Sequence, residues 1–491
     1  MMTQQELEKY LWGAAVALRG TIDAGDYKQY IFPLLFFKRI SDVYDEEYDL
    51  ALAESNGDLA YAEFAENHHF IVPKGAHWSD VRETTVNVGQ ALQEAMRAIE
   101  KANPDTLHGI FGDASWTNKE RLSDAMLINL IEHYSQQNLS LANVPDDKLG
   151  NAYEYLIKEF ADDSGHTAAE FYTNRTVVKL MTMIMDPQPG ESVYDPTCGS
   201  GGLLLNCALH LKSEGKEYRT LKLYGQEINL LTSAIARMNM FMHGIEEFQI
   251  VRGDTLANPG LLENDQLKKF NVILANPPYS IKSWDRKNFE SDPYGRNVWG
   301  TPPQGCADYA FQQHIQKSLD EKNGRSISLW PHGVLFRDSE AEMRRKMVEE
   351  DLVECVIGLG PNLFYNSPME ACLLITTTNK APNRKGKVLI INAVKEVKQE
   401  KSISYLEHKN IKRIFDAYHN FQDEDGFCKV ISNEDVIEKK GSLNIAQYVS
   451  NVDSDHSNLS INDALEAWND TSEKLQLSMN ELFQTLSEAK Q

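Results

Sequence analysis

No apolar run in this 491-residue chain approaches the roughly 18 residues that cross a bilayer, so no membrane span is expected. The opening stretch, MMTQQELEKY, is polar and acidic and does not read as a secretory leader. Cysteine is scarce and scattered: Cys198, Cys207, Cys306, Cys355, Cys372 and Cys428 form no C-x-x-C. Neither a zinc site nor a disulfide framework is indicated, and reduced thiols in a cytoplasm are the expectation. His68 and His69 are adjacent and lack metal-ligand spacing, so no metal is expected. Positive charge is also in deficit. Lys and Arg number 49 against 72 Asp and Glu, a formal charge of −23. A protein that grips DNA unaided usually carries a basic face, whereas this chain as a whole repels phosphates. Two phosphate-binding patterns are missing as well. Without G-x-G-x-x-G a nicotinamide dinucleotide site is disfavoured, and without G-x-x-x-x-G-K-[ST] there is no sign of an ATP-driven motor.

What is present falls into three textures. The length suggests two or three domains. Residues 1–160 place apolar side chains three and four apart, as in LEKYLWGAAVALRG, and read as helices with a solvated acidic surface. To Gly150 this region holds 12 basic and 24 acidic residues and no catalytic constellation. From about 165 short apolar runs alternate with amphipathic stretches. Strands are predicted near 192–195, 221–226, 248–252, 271–275, 326–330, 352–357 and 371–378, with helices between most of them. That alternation argues for an α/β fold with a mostly parallel sheet covered on both faces, whose ligands sit beyond the carboxyl ends of the strands. Residues 461–491 have the period of an amphipathic helix, which packs on its own domain or on another subunit.

Three of the predicted strand tips carry acids. Asp195-Pro-Thr197-Cys-Gly199-Ser200-Gly201-Gly202 follows the first strand and precedes a helical run. Such a turn forms a pocket of backbone N–H groups, and its glycines let a ligand approach the main chain. Glu227 ends the second strand, where it can accept hydrogen bonds from both ribose hydroxyls of a nucleoside. Asp254 ends the third, where it can accept from an adenine amino group. A nucleoside ligand without a pyrophosphate fits this set: S-adenosylmethionine.

The fourth strand runs into Asn276-Pro277-Pro278-Tyr279. An amino group conjugated to a ring is a poor nucleophile because its lone pair is delocalised. The Asn276 side-chain oxygen and the Pro277 carbonyl can each accept one amino hydrogen, freeing that lone pair for a methyl sulfonium. The double proline fixes the geometry in advance. Tyr279 offers a ring face for a base swung out of its stack, worth about 1–3 kcal/mol.

The order FYTNR (171–175), DPTCGSGG (195–202), Glu227, Asp254, NPPY (276–279) resembles the amino-group DNA methyltransferases. More narrowly it is similar to the modification subunits of type I restriction-modification systems. The N-terminal stretch LWGAAVALRGTIDAGDYKQYIFPLLFFKRISD, GCADYAFQQHI (305–315), LWPHGVLFR (329–337) and SLNIAQYV (442–449) resemble that family too. The resemblance implies a Rossmann-like S-adenosylmethionine-dependent methyltransferase domain at 161–450. It is preceded by an α-helical N-terminal domain at 1–160 and followed by a C-terminal helical segment at 451–491. It implies N6-adenine methylation of double-stranded DNA, with Asn276, Pro277, Pro278 and Tyr279 at the target base. It assigns to the cofactor Glu170, Phe171, Tyr172, Thr173, Asn174 and Arg175, the turn with Asp195, Thr197, Gly199, Ser200, Gly201 and Gly202, and Glu227 and Asp254. It also implies a separate specificity subunit that reads the DNA and holds two modification subunits, and a restriction subunit in the full complex. An acidic methylase that borrows its grip on DNA is physically coherent, and the C-terminal helix is then a candidate dock. The family usually has proline where this chain has Asn174, so a less preorganised loop is expected there. The loop 281–304 offers Lys282, Arg286, Lys287 and Arg296 to phosphates. Two other readings stay open on sequence alone: an amino-group methylase of RNA or of protein glutamine, and a scaffold that keeps the fold without the chemistry.

Overall fold

Beyond residue 170 the alternating pattern builds one nine-stranded sheet. The computed structural model describes residues 2–18, 22, 26–163, 172–363, 369–399 and 404–449, with 465, 468–476, 478 and 479. The strands are β1 (Ser192–Asp195), β2 (Lys222–Glu227), β3 (Phe248–Arg252), β4 (Val272–Ala275), β5 (Arg325–Pro331), β6 (Val353–Leu359), β7 (Ala371–Thr377), β8 (Lys387–Ala393) and β9 (Cys428–Ser432). Their spatial order is 3-2-1-4-5-7-6-8-9. The pairs β1–β2, β2–β3, β1–β4, β4–β5 and β6–β8 are parallel. Strand β7 is antiparallel to both β5 and β6, and β9 is antiparallel to β8. From β1 the chain builds outward to β2 and β3 on one side and later to β4 and β5 on the other. The switch point between β1 and β4 is where such sheets open a crevice.

Two apolar layers cover the sheet. One joins helices α6 (Arg175–Met185), α7 (Gly202–Ser213) and α10 (His408–Asn420) to one face, and the other seats α9 (Asp308–Ser318) on the opposite face. The central strands are buried on both sides; every residue of β4, β6 and β7 is buried. This is why they read as continuous apolar runs rather than alternating ones.

The N-terminal helices α1 (Gln4–Leu18), α2 (Lys28–Glu54), α3 (Val88–Ala102), α4 (Asp124–Ser135) and α5 (Asp146–Asp163) form a further layer. Its core packs Phe32 against Tyr153, tilted, and against Phe160, edge-on, at centroid distances of 4.9 and 5.4 Å. That core does not stop at the sheet region. It continues into Ala234, Ile235, Met238 and Met242 on one face of α8 (Leu230–Met242). The helical layer is thus packed onto the α/β region through a shared interior, and Met1–Val449 form one compact unit. Ser450–Gln491 form a second, whose described stretch 468–476 is helical with Trp468 and Leu475 exposed. Among the described residues no helix is long and apolar enough to cross a membrane.

Candidate active site

The turn after β1 is shaped by its glycines. Gly199 and Gly201 have φ of +52° and +79°, a region that favours glycine. A β-carbon on Gly201 would meet Met240 Cε at 2.9 Å. The turn delivers the chain into α7 with the helix N-terminus facing the crevice. Asp195 is 1 % exposed and accepts from the Thr197 N–H at 3.0 Å. Burial, reinforced by the nearby Glu227 charge, pushes its carboxyl up to about 8 against the hydrogen bonding of Thr197. A buried acid in this state gains from a cationic ligand.

Glu227, at the tip of β2, accepts from Gly199 N–H at 3.1 Å and Asn229 N–H at 2.8 Å. The acid therefore ties the glycine turn to its own strand end. Asp254 accepts from Leu256 N–H at 2.9 Å and Ala257 N–H at 3.1 Å through one oxygen, Oδ1. Thr255 donates to Pro196 O at 2.5 Å, which links the third tip to the first. Gln226, fully buried, accepts from Gly260 N–H at 3.0 Å and donates to Asn258 O at 2.9 Å. The exposed Ile228 stands beside Glu227 as an apolar rim.

One cleft at the β1–β4 switch point is lined by Thr173, Arg175, Asp195, Thr197, Gly199, Ser200, Gly202 and Asn276, with Cys198 and Leu203. Residues 103 and 81 positions apart thus share one wall. Asn276 donates through Nδ2 to Thr173 Oγ1 at 3.0 Å and accepts at Oδ1 from the Tyr279 hydroxyl at 3.0 Å. The Tyr279 ring packs against both apolar layers, and burial raises its hydroxyl pKa well above the ordinary value. Pro277 is buried and Pro278 half-buried.

The turn continues into Ser280, a non-glycine residue at φ +52°. Its N–H donates to Asp308 Oδ1 at 2.7 Å. Asp308 and Glu340 are both 0 % exposed. Arg337 spans them, pairing with Asp308 at 2.5 Å and Glu340 at 2.9 Å. Cys306, Asp308 and Glu340 lie close enough together to suggest metal ligands, but the Arg337 guanidinium already supplies the cation between the two carboxylates.

Some expected site residues do other work. Asn174 caps α6, accepting from Thr176 N–H at 3.0 Å, and donates to Ser404 O at 3.0 Å. Its side chain thus holds by hydrogen bonds the turn that a proline would hold by its ring. Tyr172 is buried with the Arg175 guanidinium over its ring at 4.9 Å. Glu170 and Phe171 lie outside the described residues. In the 281–304 loop, Arg296 does not face solvent: it is 2 % exposed, pairs with Asp292 at 2.6 Å, and donates to Thr255 O and Leu256 O at 2.9 and 2.8 Å. It braces the Asp254 turn from below. Arg286 pairs with Glu290 at 2.5 Å, leaving Lys282 and Lys287 as the exposed cations of the four.

The sequence profile of the N-6 DNA Methylase family matches residues 144–457, and that of the HsdM N-terminal domain matches residues 7–134. The chain belongs to the N-6 DNA methylases. The MjaVIII methylase subunit of a type I restriction enzyme from Methanocaldococcus jannaschii is 30 % identical, over 88 % of this chain and 76 % of its own. The MpnII methylase subunit from Mycoplasma pneumoniae is 28 % identical, over 90 % and 89 %. The crystal structure of a type I restriction-modification methyltransferase subunit from Streptococcus thermophilus superposes with a TM-score of 0.79 at 29 % identity, covering 91 % of this chain and all of that one. As an N-6 DNA methylase of the type I modification-subunit class, the chain carries both family regions, and the described cleft lies within the methylase region.

Proposed function

We propose that the β1–β4 cleft binds S-adenosylmethionine and that the Asn276–Tyr279 turn directs its methyl group to N6 of adenine in double-stranded DNA. The observation that carries this reading is the placement of Asn276 on the same cleft wall as Arg175 and Asp195. S-adenosylmethionine bound there supplies an electrophilic methyl on a sulfonium. Arg175 and the N-terminus of α7 suit its carboxylate, and Asp195 suits its ammonium group. Glu227 and Asp254 face the ribose and adenine ends, with Ile228 as an apolar edge for the ring. Asn276 Oδ1 exchanges the Tyr279 hydroxyl for an adenine amino hydrogen, and the Pro277 carbonyl takes the second. Thr173, by accepting from Nδ2, keeps Oδ1 turned toward the incoming base. S-adenosylmethionine would supply the methyl group and leave as its neutral thioether with the sulfur–carbon electron pair; Asn276 Oδ1 and the Pro277 carbonyl would hold the amino nitrogen with its lone pair free, and its proton would pass to solvent after transfer, so no strong base would be required. Alignment supplies the rest of the rate.

The chain acts as the modification subunit of a type I complex. A separate specificity subunit reads the target sequence and holds two copies, and a restriction subunit completes the assembly in the cytoplasm. The acidic surface and the paired state of Arg286 and Arg296 support a borrowed grip on DNA. The exposed Trp468 and Leu475 of the C-terminal helix suit the specificity subunit as a dock. The test is transfer of labelled methyl to DNA by the chain alone, with its specificity subunit, and as Asn276→Ala with that subunit. N6-methyladenine is expected only in the second mixture, with a loss of about 10²–10³ or more for the variant. Label in RNA or protein, or bound cofactor without any transfer, would overturn the reading.

A further inference from the structure

The cofactor cleft has a support that comes from outside the α/β region. Arg175 lines the cleft and lies so close to the start of α7 that a β-carbon on Gly202 would fall 2.4 Å from its Nη1. Its guanidinium is paired with Glu154, which belongs to α5 of the helical layer. Glu154 accepts through Oε1 from Asn239 Nδ2 at 2.7 Å, and the same Nδ2 donates to Ser200 O in the glycine turn at 3.0 Å. Asn239 is fully buried on α8, and Ser200 is buried too. One carboxylate of the helical layer therefore fixes both the cation of the cleft and, through Asn239, the turn opposite it.

Resting on the cofactor reading above, we infer that Glu154 is a positioning residue for the amino-acid end of S-adenosylmethionine. An arginine side chain left to itself explores many rotamers, and its ordering opposes binding. Glu154 fixes the guanidinium before the ligand arrives, between the Tyr172 ring and the helix N-terminus, where a carboxylate gains from both positive ends. Because Glu154 rides on α5, cofactor affinity depends on how the helical layer is seated.

The experiment is calorimetric binding to the full chain, using S-adenosylmethionine and methylthioadenosine, which lacks the amino-acid end. Glu154→Ala is expected to weaken S-adenosylmethionine about tenfold, as for loss of a charge-assisted contact, with Glu154→Gln between it and the parent. Methylthioadenosine affinity stays within about twofold, which also reports an intact fold. In an Arg175→Ala background the Glu154 change costs S-adenosylmethionine affinity less than in the parent, because only the route through Asn239 remains. Unchanged or tighter S-adenosylmethionine binding, or an equal loss for both ligands, overturns the inference. Failure of the parent chain to bind either ligand would instead strike the cofactor reading itself.

Discussion

On the side of the cleft proposed for the cofactor, Asp195, Glu227 and Asp254 are held by backbone amides two to three residues away or in the neighbouring turn. On the side proposed for the target base, Asn276 is held by Thr173, 103 residues away, and Ser280 by Asp308 of α9, with Arg337 behind. The first arrangement is a set of strand-end turns that nearly any sheet of this kind supplies. The second has to be assembled by folding, and it surrounds the group that must be aligned most closely for transfer. Binding and chemistry should therefore separate under mutation.

The sharpest separation is expected from Asp308→Ala. It removes one of the two carboxylates that Arg337 spans, leaving Arg337 paired with Glu340 alone, and releases the Ser280 N–H. A stability loss of about 2 kcal/mol is expected for the lost hydrogen bonds to a charged acceptor. Methyl transfer should fall about a hundredfold through misplacement of the turn, with S-adenosylmethionine affinity held. Denaturant titration, single-turnover kinetics and calorimetry read the three terms. A matched loss of cofactor affinity would erase the distinction between the two sides. Glu227→Ala is the converse. It should weaken S-adenosylmethionine about thirtyfold, near 2 kcal/mol for hydrogen bonds to a charged acceptor. Single-turnover transfer at saturating cofactor should change little by comparison.

The smallest effect is a proton. The Asp195 carboxyl lies near 8, above its ordinary 3.8, so the stability tied to it is full below about pH 4 and is lost as pH rises through 8. A bound ammonium group favours the charged carboxylate, so cofactor binding near neutral pH should release up to about one proton. Calorimetric enthalpies in buffers of different ionisation heat measure this, and Asp195→Asn should abolish it. Equal enthalpies in phosphate and Tris for the parent chain would mean that Asp195 does not meet the cation.

The same contrast explains what the sequence made legible. Seven strands lay within two residues of their observed bounds at both ends because their short apolar runs stand out from the polar and turn-forming residues around them. The glycine turn and the acids could be read for the same reason: each motif is its own structure. Strands β8 and β9 escaped. The run Val388–Ile391 is apolar enough, but four residues do not separate strand from helix, and β9 is an edge strand with a mixed burial pattern. The Thr173 partner of Asn276, and the link from Glu154 to the cleft, left no local trace because their spacing exceeds 80 residues or crosses layers. Arg296 misled for a related reason. Beside Lys282 and Lys287 it reads as a surface cation, and only the turn at Thr255 and Leu256 reveals its carbonyl partners. GCADYAFQQHI and LWPHGVLFR, which carry Asp308 and Arg337, were visible as family segments before their physical role was.

The shared interior of the helical layer and α8 has a consequence during synthesis. The apolar residues of α1 to α5 leave the ribosome first, yet Ala234 to Met242, which close their core, follow the end of α5. About 80 residues separate Asp163 from Met242, and at roughly 5–20 residues per second the nascent helices wait about 4–16 seconds for their cover. During that interval the face that will meet α8 stands open beside the exit tunnel, a natural site for chaperone capture and the interval in which a destabilised variant would be lost.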